Sequence, residues 1–576
     1  MDRTGIYGRF NLDGAPVDPR EAALLGLALS DPAVSGAGRV IDLADPGAAQ
    51  VDRSNGALTL LLGRLDEPDR VAARLGMAAD TPQASLARAA LDRFGGDVRH
   101  LMAGEWTLLH YAHDRVTLAA AIAQRDPLLF AYKGSRLAIG PDLRQLGTLD
   151  WVDSDLDDAG LLFALGRQEL RAAGTGTTVL RDVRALEPGG LVVIDRTGCD
   201  TAPRALPERA PRWRGSFEEA LAETQALLDR IVRQRMWGGD AGCLLSGGLD
   251  SSSLTWLVAR NRDPGTPVHC LTSAAAPGSG LVDETPFANI VADHLRLPIE
   301  QVVPAEAPGI YRPEAGQFRD WNGPRLGPRH YLYHAFAEHM RALQAPLLFD
   351  GQFGEYTITS FFPLATMRER LRDTVRRWRG RPTQLGWTAD RDAFHVFLAQ
   401  GRTLPTEISA ALAIPTTPQR MPAPGELWGL LPSFEKMFGS PAAMALGRVR
   451  VAQPYRDPRL LTFFSGLPAG LLQRPGLDRA PVRELLKGHL PDSIRLRPKG
   501  LAISPDYSER LKRQAPAARA RIAAFRAAEA GEWLDLDRLD TVLERVATGN
   551  ARSDEAMQAQ LTAMAAEFVT WWRGGS

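Results

Sequence analysis

The chain has 576 residues, which at about 150 residues per domain predicts roughly two to four domains. Its 68 Lys and Arg residues equal its 68 Asp and Glu residues, so no global charge attracts nucleic acid or an anionic membrane. Three scattered cysteines exclude a disulfide-stapled extracellular fold, and no apolar run reaches the length of about 18 residues that a membrane span needs. We expect a cytoplasmic protein with neither a nucleic-acid partner nor a membrane partner.

The first part of the chain has the pattern of a sheet-rich domain. Short apolar or β-branched runs, each bounded by Gly, Pro or Asp, predict strands, and a helical spacing between them predicts a helix over 82–94. The predicted strands cover 5–12, 58–62, 106–111, 136–140 and 191–194. We assign residues 1–200 to this domain, and residues 201–215, rich in Pro, Arg and Ala without a period, to a linker.

Residues 216–576 have the pattern of a second domain. Ser216 and Glu219 form a capping box that predicts a helix start. A short apolar strand over 243–245, a Gly-Gly turn and a helix then follow, and later apolar runs alternate with helical stretches. This order is typical of a doubly wound parallel sheet, and helical patterns dominate beyond residue 440.

A seven-residue segment lies directly after the strand 243–245 and directly before the predicted helix. Two glycines allow a tight turn that presents backbone N–H groups beside a helix N-terminus, where a pyrophosphate binds well. Serine hydroxyls can add donors, and an aspartate can hold Mg²⁺. The alternative is a serine-rich helix cap. The residues are Ser246, Gly247, Gly248, Leu249, Asp250, Ser251 and Ser252.

This segment resembles the pyrophosphate loop of ATP pyrophosphatases, in the form typical of the asparagine synthetase group, which activates a carboxylate as an acyl-adenylate. The resemblance implies ATP and Mg²⁺ as cofactors. Residues 350–355 resemble the second metal motif of the group, in which Gly351 would contact ATP and Gln352 the substrate. Glu355 stands where the group has its magnesium-binding Asp, and Phe353 replaces a glycine. A glutamate still supplies oxygen ligands, so Asp250 and Glu355 are the expected metal pair.

Three further segments extend the resemblance. The pair Asp283 and Glu284 resembles an acidic pair of the group, and Asp457 ends a segment that resembles its Pro-Phe-Leu-Asp sequence. All three residues are candidate substrate contacts. Residues 497–500 resemble the Arg-x-Lys-Gly stretch, which implies that Lys499 reaches the α-phosphate or the transition state, where a positioned ammonium stabilises developing charge. A solvated surface lysine is the alternative.

The N-terminal part resembles the glutaminase-like domain of the same group, an Ntn-type α+β sandwich. Residues 5–14, 125–128 and 186–189 carry this resemblance. A glutaminase of this class needs an N-terminal Cys, whose amine acts as base for its own thiol. Thr4 stands in that place, and no Cys precedes Cys199. We expect a domain without its nucleophile, with a structural or peptide-docking role.

An adenylating domain without an ammonia source implies that another amine attacks the adenylate. Two branches of the group have this architecture, the β-lactam synthetases and the lasso peptide cyclases. Gln352 stands where the β-lactam branch has a tyrosine, and the spacing of 453–460 with the later Leu-Pro at 467–468 is more similar to the cyclases. That resemblance implies a macrolactam formed between the N-terminal amine of a precursor core peptide and an Asp or Glu side chain. It also implies a leader-binding and leader-cleaving peptidase as partner.

Several alternatives stay open at this point. The chain could be an asparagine synthetase-like or β-lactam synthetase-like ligase for a small substrate, or a degraded nucleotide-binding scaffold, which Glu355 and Phe353 suggest. Candidates for the general base are Glu284, His330 and His334, the two histidines being spaced four apart as in some metal pairs. An arginine-rich run over 368–381 is either a solvated helix face or a contact for an acidic peptide or a partner protein.

Overall fold

The computed structural model divides into two compact units. Unit 1 comprises Met1–Ala164, Ala173–Pro207 and Arg319–Gly323, and unit 2 comprises Leu165–Ala172, Glu208–Phe318 and Pro324–Ser576. The structure describes residues 6–27, 38–43, 49–54, 56–124, 128–166, 176–208, 210–236, 239–324, 327–359, 375, 396–402, 449–472, 477–498 and 504–574.

Unit 1 contains two antiparallel sheets. The first has the order β2-β1-β8-β7-β9 and the second the order β11-β10-β6-β5-β4-β3. The strands are β1 Ile6–Asn11, β2 Arg39–Leu43, β3 Ala49–Ser54, β4 Ala57–Leu65, β5 Gly104–Ala112, β6 Arg115–Ala120, β7 Leu128–Lys133, β8 Arg136–Gly140, β9 Val183–Leu186, β10 Leu191–Asp195 and β11 Gly198–Ala202. The helices are α1 Pro19–Leu24, α2 Pro68–Leu75, α3 Gln83–Phe94, α4 Val98–Leu101, α5 Leu143–Leu146 and α6 Asp158–Leu165.

The two sheets pack face to face through a shared apolar core. Phe10 and Phe130 from the first sheet and Leu60 from the second belong to one buried cluster. Because side chains alternate along a strand, Leu61 points to the other face of β4, where it packs with Leu86 of α3 in a second cluster. Burial on both faces explains the unbroken run of leucines in β4.

Unit 2 is built on a five-stranded parallel sheet with the order β14-β13-β12-β15-β16. The strands are β12 Ala241–Leu244, β13 Val268–Ser273, β14 Ile299–Val302, β15 Leu347–Phe349 and β16 Arg450–Ala452. The chain proceeds outward from β12 to β14 and then returns to the other side of β12 for β15 and β16. The order therefore reverses between β12 and β15, and ligands of such sheets bind at the carboxyl ends of the strands at this switch point.

Helices surround this sheet and form most of the C-terminal part of unit 2. They are α7 Phe217–Arg235, α8 Leu249–Asn261, α9 Thr285–Leu295, α10 Ala315–Trp321, α11 His330–Ala342, α12 Pro458–Gly466, α13 Ala469–Leu472, α14 Ala480–Leu485, α15 Asp492–Arg495, α16 Tyr507–Arg519, α17 Ile522–Ala527, α18 Leu536–Ala547 and α19 Ser553–Arg573. The predicted capping box is present, since Glu219 N donates to Ser216 Oγ and Ser216 N donates to the Glu219 carboxylate. Among the helices that the structure describes, none combines the length and apolar character needed to cross a bilayer.

The predicted mixture of α and β structure is confirmed, since two antiparallel sheets are followed along the chain by a parallel sheet. The second domain was predicted to begin with a capped helix that a strand, a glycine turn and a second helix follow, and α7, β12, the turn and α8 occur in that order. The segment 125–127, which carries part of the N-terminal resemblance, and Thr4 lie outside the described residues.

Gly63 of β4 has a close approach that only glycine tolerates, which gives a test of the packing in unit 1. Its φ is +77°, and a Cβ there would lie 2.1 Å from the Glu105 carbonyl oxygen. Gly134 has a φ of +65° with open space around it. We expect Gly134→Ala to cost about 1–2 kcal/mol of the free energy of unfolding, from backbone strain alone. Gly63→Ala adds a clash worth about 1–3 kcal/mol more.

Hydrogen exchange of the β4 and β5 amides, read by mass spectrometry, measures this difference. Faster exchange in Gly63→Ala than in Gly134→Ala is the expected result. Equal exchange in the two variants would contradict the close approach of β4 and β5.

Candidate active site

The loops that follow β12 and β15 meet at the switch point of the parallel sheet and line a cavity of about 290 Å³. Both predicted motifs, residues 246–252 and 350–355, contribute to its walls. The lining residues are Leu244, Leu245, Ser246, Gly248, Asp250, Ser251, Leu271, Thr272, Ser273, Glu284, Pro328, Arg329, Tyr333, Phe336, Asp350, Gly351, Gln352, Phe353, Glu355 and Pro505. Tertiary structure thus brings together two segments that are about a hundred residues apart in the chain.

The first loop is held in shape by its own serines. Ser246 N donates to Ser251 Oγ at 3.1 Å, and the two hydroxyl oxygens lie 3.1 Å apart. Gly247 has a φ of +71°, and a Cβ there would lie 2.4 Å from Phe287 Cβ, so only glycine fits. Gly248 is the N-cap of α8 and offers no side chain to its first turn. The N-terminus of α8 therefore has no side-chain cap from Gly248, and an anion in the cavity could contact it.

The members of the first motif differ in their placement. Ser246, Gly248, Asp250 and Ser251 line the cavity. The backbone of Gly247 forms the turn. The side chains of Leu249 and Ser252 are buried in the protein and are absent from the cavity wall that the structure describes. The predicted hydroxyl donors are therefore in place for Ser246 and Ser251, whereas Ser252 packs beneath the loop.

Glycines in the second motif allow the two loops to touch. A Cβ on Gly351 would lie 3.1 Å from Ser251 N, and one on Gly354 would lie 1.7 Å from Asp250 Oδ1. Phe353 between them has a φ of +74° and is buried. This left-handed conformation favours glycine and is unusual for a phenylalanine, which agrees with the interpretation that Phe353 replaces a glycine. The contact fixes the position of Glu355 relative to Asp250.

Asp250 and Glu355 form an acidic pair at the cavity wall. Burial raises the pKa of Asp250 to about 6, although a hydrogen bond from the Thr359 hydroxyl opposes this. Burial raises the pKa of Glu355 to about 7, and the negative charge of Asp250 adds to this. Burial of both carboxyl groups, together with the charge of Asp250 beside Glu355, disfavours their ionised forms, and a divalent cation held between them would offset this cost.

The residues present therefore fit Mg²⁺, held by Asp250 and Glu355. Magnesium in nucleotide sites takes one or two carboxylates, with the other positions filled by phosphate oxygens and waters. Such an ion would supply positive charge against the oxygens of a transferring phosphoryl group. Among the described residues, no group of three or more His, Cys, Asp or Glu side chains forms a metal cluster.

The two residues of the predicted acidic pair, Asp283 and Glu284, have different surroundings. Asp283 accepts hydrogen bonds from Ala275 N at 2.7 Å and Thr285 N at 3.0 Å. Burial pushes the pKa of Asp283 upward, but these hydrogen bonds hold it below its usual range. Glu284 lines the cavity and accepts a hydrogen bond from Arg497 at 2.6 Å. Asp283 is absent from the described cavity wall, so its placement favours a structural role.

Arg497, the first residue of the late motif at 497–500, ties that motif to the first loop. Its guanidinium lies 3.4 Å from the centre of the Phe287 ring and also donates to the Gly247 carbonyl oxygen at 3.3 Å. The chain two residues before Lys499 is thereby held beside the pyrophosphate loop. Lys499 itself and the arginines of the run 368–381 lie outside the described residues.

Gln352 belongs to a polar network at the side of the cavity. Its Nε2 donates to the Tyr333 hydroxyl at 2.6 Å, and its Oε1 accepts from Gln453 Nε2 at 3.4 Å. Gln453 Nε2 also donates to Asp350 Oδ2 at 3.1 Å. Gln352 is thus placed where a substrate contact was predicted, with its orientation fixed by neighbours.

Asp457 lies in a buried ion-pair network, not in the described cavity wall. Its carboxylate contacts Arg235 at 3.0 Å and Arg459 at 2.8 Å, and it caps α12 by accepting from Arg459 N. Although burial opposes ionisation, the positive charge of Arg459 holds the pKa of Asp457 below its usual range. This placement favours a structural role over the predicted substrate contact.

The candidate bases are placed differently from one another. His330 is fully buried, its Nε2 lies 3.2 Å from the Ile310 carbonyl oxygen, and burial lowers its pKa to about 4. His334 pairs with Glu338 on the same helix at 3.4 Å. Neither histidine is among the described residues of the cavity wall, whereas Glu284 is.

The structure also places residues at the cavity that the sequence does not mark. Arg329 and Tyr333 line it from α11 and the residue before it, and Thr359 reaches Asp250. None of them belongs to a motif. The only local signal is the spacing of four between Arg329 and Tyr333, which puts them on one face of a helix.

The network around Asp457 predicts a loss of stability in Asp457→Asn. Arg235 is almost completely buried, and Asp457→Asn removes the negative charge that lies 3.0 Å from it. We expect the free energy of unfolding to fall by about 3–5 kcal/mol. Asp478→Asn is the matched control, because Asp478 is exposed in its pairs with Arg479 and Arg483 and should cost less than about 1 kcal/mol.

Urea denaturation followed by tryptophan fluorescence measures both variants. Unchanged stability of Asp457→Asn, together with a loss of substrate affinity, would return Asp457 to the predicted substrate role.

The raised pKa values of Asp250 and Glu355 predict a pH dependence of metal binding. Each carboxyl group must lose its proton before it coordinates Mg²⁺, so the affinity should rise on the order of tenfold between pH 6 and pH 8. Without metal, the stability of the fold has the opposite pH dependence. Above pH 4 the folded state keeps protons on these two carboxyl groups that the unfolded state has released. The free energy of unfolding therefore falls as the pH rises from about 4 to about 7.

Calorimetric titration of Mg²⁺ into protein saturated with α,β-methylene ATP measures the first effect at each pH. The variant Glu355→Gln should keep only a weaker pH dependence, from Asp250. A pH-independent affinity in the unmodified chain would contradict this metal pair.

Comparison with known proteins agrees with the two motifs. A family model described as asparagine synthase matches residues 223–406 and 440–573. Asparagine synthetase [glutamine-hydrolyzing] 3 of Bacillus subtilis (strain 168) is 24% identical over 165 residues, which are 28% of this chain and 25% of that protein. The chain thus matches about a quarter of the length of this curated relative.

Solved structures give weaker likenesses. One is described as glutamine phosphoribosylpyrophosphate (PRPP) amidotransferase from B. subtilis complexed with ADP and GMP, with 12% identity, a TM-score of 0.23, and coverage of 54% of this chain and 63% of that one. Another is described as the allosteric regulatory enzyme of purine biosynthesis, with 11% identity, a TM-score of 0.24, and coverage of 55% and 77%. No conclusion about this chain rests on either likeness.

The asparagine synthase model covers more than half of the chain, and it includes the three motif segments 246–252, 350–355 and 497–500. The chain therefore belongs to the asparagine synthase family.

Proposed function

We propose that this chain is an ATP-dependent, AMP-forming ligase that adenylates a carboxylate and passes the acyl group to an amine. At finer detail we propose a lasso peptide cyclase. Its substrate is a precursor core peptide, in which an Asp or Glu side chain is activated and the N-terminal amine closes a macrolactam. A leader-binding and leader-cleaving peptidase would be its partner.

The observation that carries the proposal is the meeting of the two motif loops in one cavity. The N-terminus of α8 and the hydroxyls of Ser246 and Ser251 offer donors suited to phosphate oxygens. Asp250 and Glu355 lie in the same wall and would hold a metal ion, which would supply positive charge near those phosphate oxygens. Donors and acids together in a single cavity are what transfer of an adenylyl group to a carboxylate requires.

Adenylation solves a problem of leaving groups. A carboxylate cannot release oxide, so its oxygen first attacks the α-phosphorus of ATP, and pyrophosphate leaves. The amine then attacks the carbonyl carbon of the acyl-AMP, and AMP leaves with the electron pair of the C–O bond. Lys499 is proposed to stabilise the charge that builds on the phosphate and on the tetrahedral oxyanion.

The N-terminal segment supports an amine other than ammonia. The glutaminase-like resemblance begins at Gly5 and Ile6, and the residue before them is Thr4, where that class has its cysteine nucleophile. Residues 1–198 contain no cysteine. We propose that unit 1 has a structural or docking role and that the peptide itself supplies the amine. Orientation of two ends of one peptide can contribute about 7–11 kcal/mol to such a step.

The size of the cavity favours a second candidate, a ligase for a small carboxylate substrate. The cavity that the described residues form holds about 290 Å³, the scale of a small-molecule site. An asparagine synthetase-like or β-lactam synthetase-like reaction has a small acyl substrate, which suits a cavity of this scale better than a folded peptide does. The products separate the two candidates.

Exchange of labelled pyrophosphate into ATP tests the adenylation step. The protein is given ATP and Mg²⁺ with aspartate or with a candidate leader-free core peptide. We expect Asp250→Asn and Glu355→Gln to lower the exchange rate by a factor of about a hundred or more, since each removes a metal ligand from the transition state. Glu338→Gln is the matched control, because Glu338 lies half-exposed on α11.

Product mass then identifies the reaction. A peptide lighter by one water, formed with AMP, supports the cyclase. AMP with asparagine supports the small-substrate ligase. Full exchange in Glu355→Gln would refute the metal assignment, and no exchange with any carboxylate would leave a nucleotide-binding scaffold as the remaining function.

A further inference from the structure

We propose that Arg329 and Tyr333 together bind the carboxylate that is to be activated. The proposal rests on the proposed adenylation, because it assigns the acyl-substrate side of the same cavity. Arg329 would form the ion pair with the carboxylate, and the Tyr333 hydroxyl would donate a hydrogen bond to it. Both would act as specificity residues that select a negatively charged group over a neutral amide.

The geometry of α11 places these residues on one wall. Arg329 is the N-cap residue of α11, and Tyr333 and Phe336 follow at intervals of four and three, which is one face of a helix. All three line the cavity, together with Pro328 and Pro505. Among the five described residues of this wall, the guanidinium and the hydroxyl are the polar side-chain groups, so they are the partners that this wall offers to a charged substrate group.

The charges of the cavity require a cation on this side. Among the described lining residues the acidic side chains are Asp250, Glu284, Asp350 and Glu355, and Arg329 is the cation. A carboxylate that approaches the triphosphate in this cavity meets negative charge from these acids and from the phosphates. A guanidinium at the wall offsets this repulsion and orients the carboxylate oxygens through two parallel N–H donors.

Arg329 has unused hydrogen-bonding capacity. Its Nε is buried and, in the part of the chain that the structure describes, it donates to no protein acceptor. Its guanidinium lies 5.4 Å from the centre of the Tyr507 ring, and no acidic side chain among the described residues forms an ion pair with it. A half-buried cation with an unsatisfied donor is costly, and a bound carboxylate would supply the missing acceptor.

Tyr333 is oriented to donate. Its hydroxyl oxygen accepts a hydrogen bond from Gln352 Nε2 at 2.6 Å, so the proton of the hydroxyl remains available for another acceptor. Burial raises the pKa of Tyr333, and the positive charge of Arg329 opposes this only in part, so the group stays protonated at neutral pH. Gln453 in turn contacts Gln352 and Asp350, which fixes the direction of the hydroxyl.

A phosphate of ATP is the competing partner for Arg329, because its chemistry toward a guanidinium is the same. The two partners differ in which ligand loses affinity when Arg329 is changed. Binding measurements without turnover separate them.

The experiment uses the full chain with saturating Mg²⁺ and α,β-methylene ATP, which cannot be cleaved to give an adenylate. The probe is N-acetyl-aspartic acid N-methylamide, which carries only a side-chain carboxylate, and the neutral comparison is its asparagine counterpart. Calorimetry gives the affinity of the probe, and a separate titration gives the affinity of the ATP analogue. The variants are Arg329→Gln, Arg329→Lys and Tyr333→Phe. Arg341→Gln is the matched control, since Arg341 is exposed on the same helix.

We expect unmodified protein to prefer the aspartate probe over the asparagine probe. Arg329→Gln should weaken the aspartate probe by about tenfold or more, since a hydrogen bond to a charged group contributes about 1.5–3 kcal/mol. Arg329→Lys should restore part of this loss, and Tyr333→Phe should cause a smaller one. The affinity of the ATP analogue should stay within about threefold in all variants, a shift of less than about 1 kcal/mol.

Three results would overturn the assignment. The first is an equal loss of ATP-analogue affinity in Arg329→Gln, which would make Arg329 a phosphate ligand. The second is an unchanged affinity for the aspartate probe in Arg329→Gln. The third is no preference for the aspartate probe over the asparagine probe in unmodified protein. Circular dichroism confirms that each variant is folded. Since no step depends on turnover, failure of adenylation itself would appear in the pyrophosphate exchange and not in these affinities.

Discussion

The site depends on the contact between two loops at the switch point of the parallel sheet. Gly354 lets the second loop approach the carboxylate of Asp250 at a distance that a Cβ would block, and Gly351 lets it approach the backbone of Ser251 at a distance where a Cβ would be crowded. Because β12 and β15 are neighbours in the sheet, their carboxyl ends deliver these loops to the same place. Without this approach, Glu355 and Asp250 would not share one wall.

This contact has an electrostatic consequence. Burial raises the pKa of both carboxyl groups, and the charge of Asp250 raises the pKa of Glu355 further, so the pair binds protons at low pH and suits a cation once it is ionised. The helix N-terminus and the serine hydroxyls on the first loop favour anions at the adjacent position. The cavity therefore has a polarity that suits a metal–phosphate complex, and the wall formed by α11 adds a cation on the side left for the second substrate.

Residues outside the cavity keep this arrangement in place. Arg497 links the late part of the chain to the first loop and to Glu284, and Asp457 joins Arg235 in the buried network that caps α12. Tyr455 reaches Ser253 near the start of α8 through a hydrogen bond of 2.7 Å. These charged and polar side chains support the site without facing it, which shows why a motif residue need not contact a ligand.

The sequence by itself determined the local features. The strand, glycine turn and helix around residues 241–261, the capping box of α7 and the helix α3 follow from short-range rules of periodicity, capping and backbone freedom. Several strands of unit 1, including β2, β3 and β9, were not predicted, because short edge strands carry a weak pattern and depend on their neighbours.

Only the tertiary structure decided which residues share the cavity. Three motif residues point away from the cavity: Asp283 accepts hydrogen bonds from backbone amides, Ser252 is buried in the core, and Asp457 pairs with arginines. Arg329 belongs to no motif, yet it lines the cavity wall. The direction of a side chain depends on how elements far apart in sequence pack against one another. A motif contains only residues that are close together in the sequence, so it does not determine that direction.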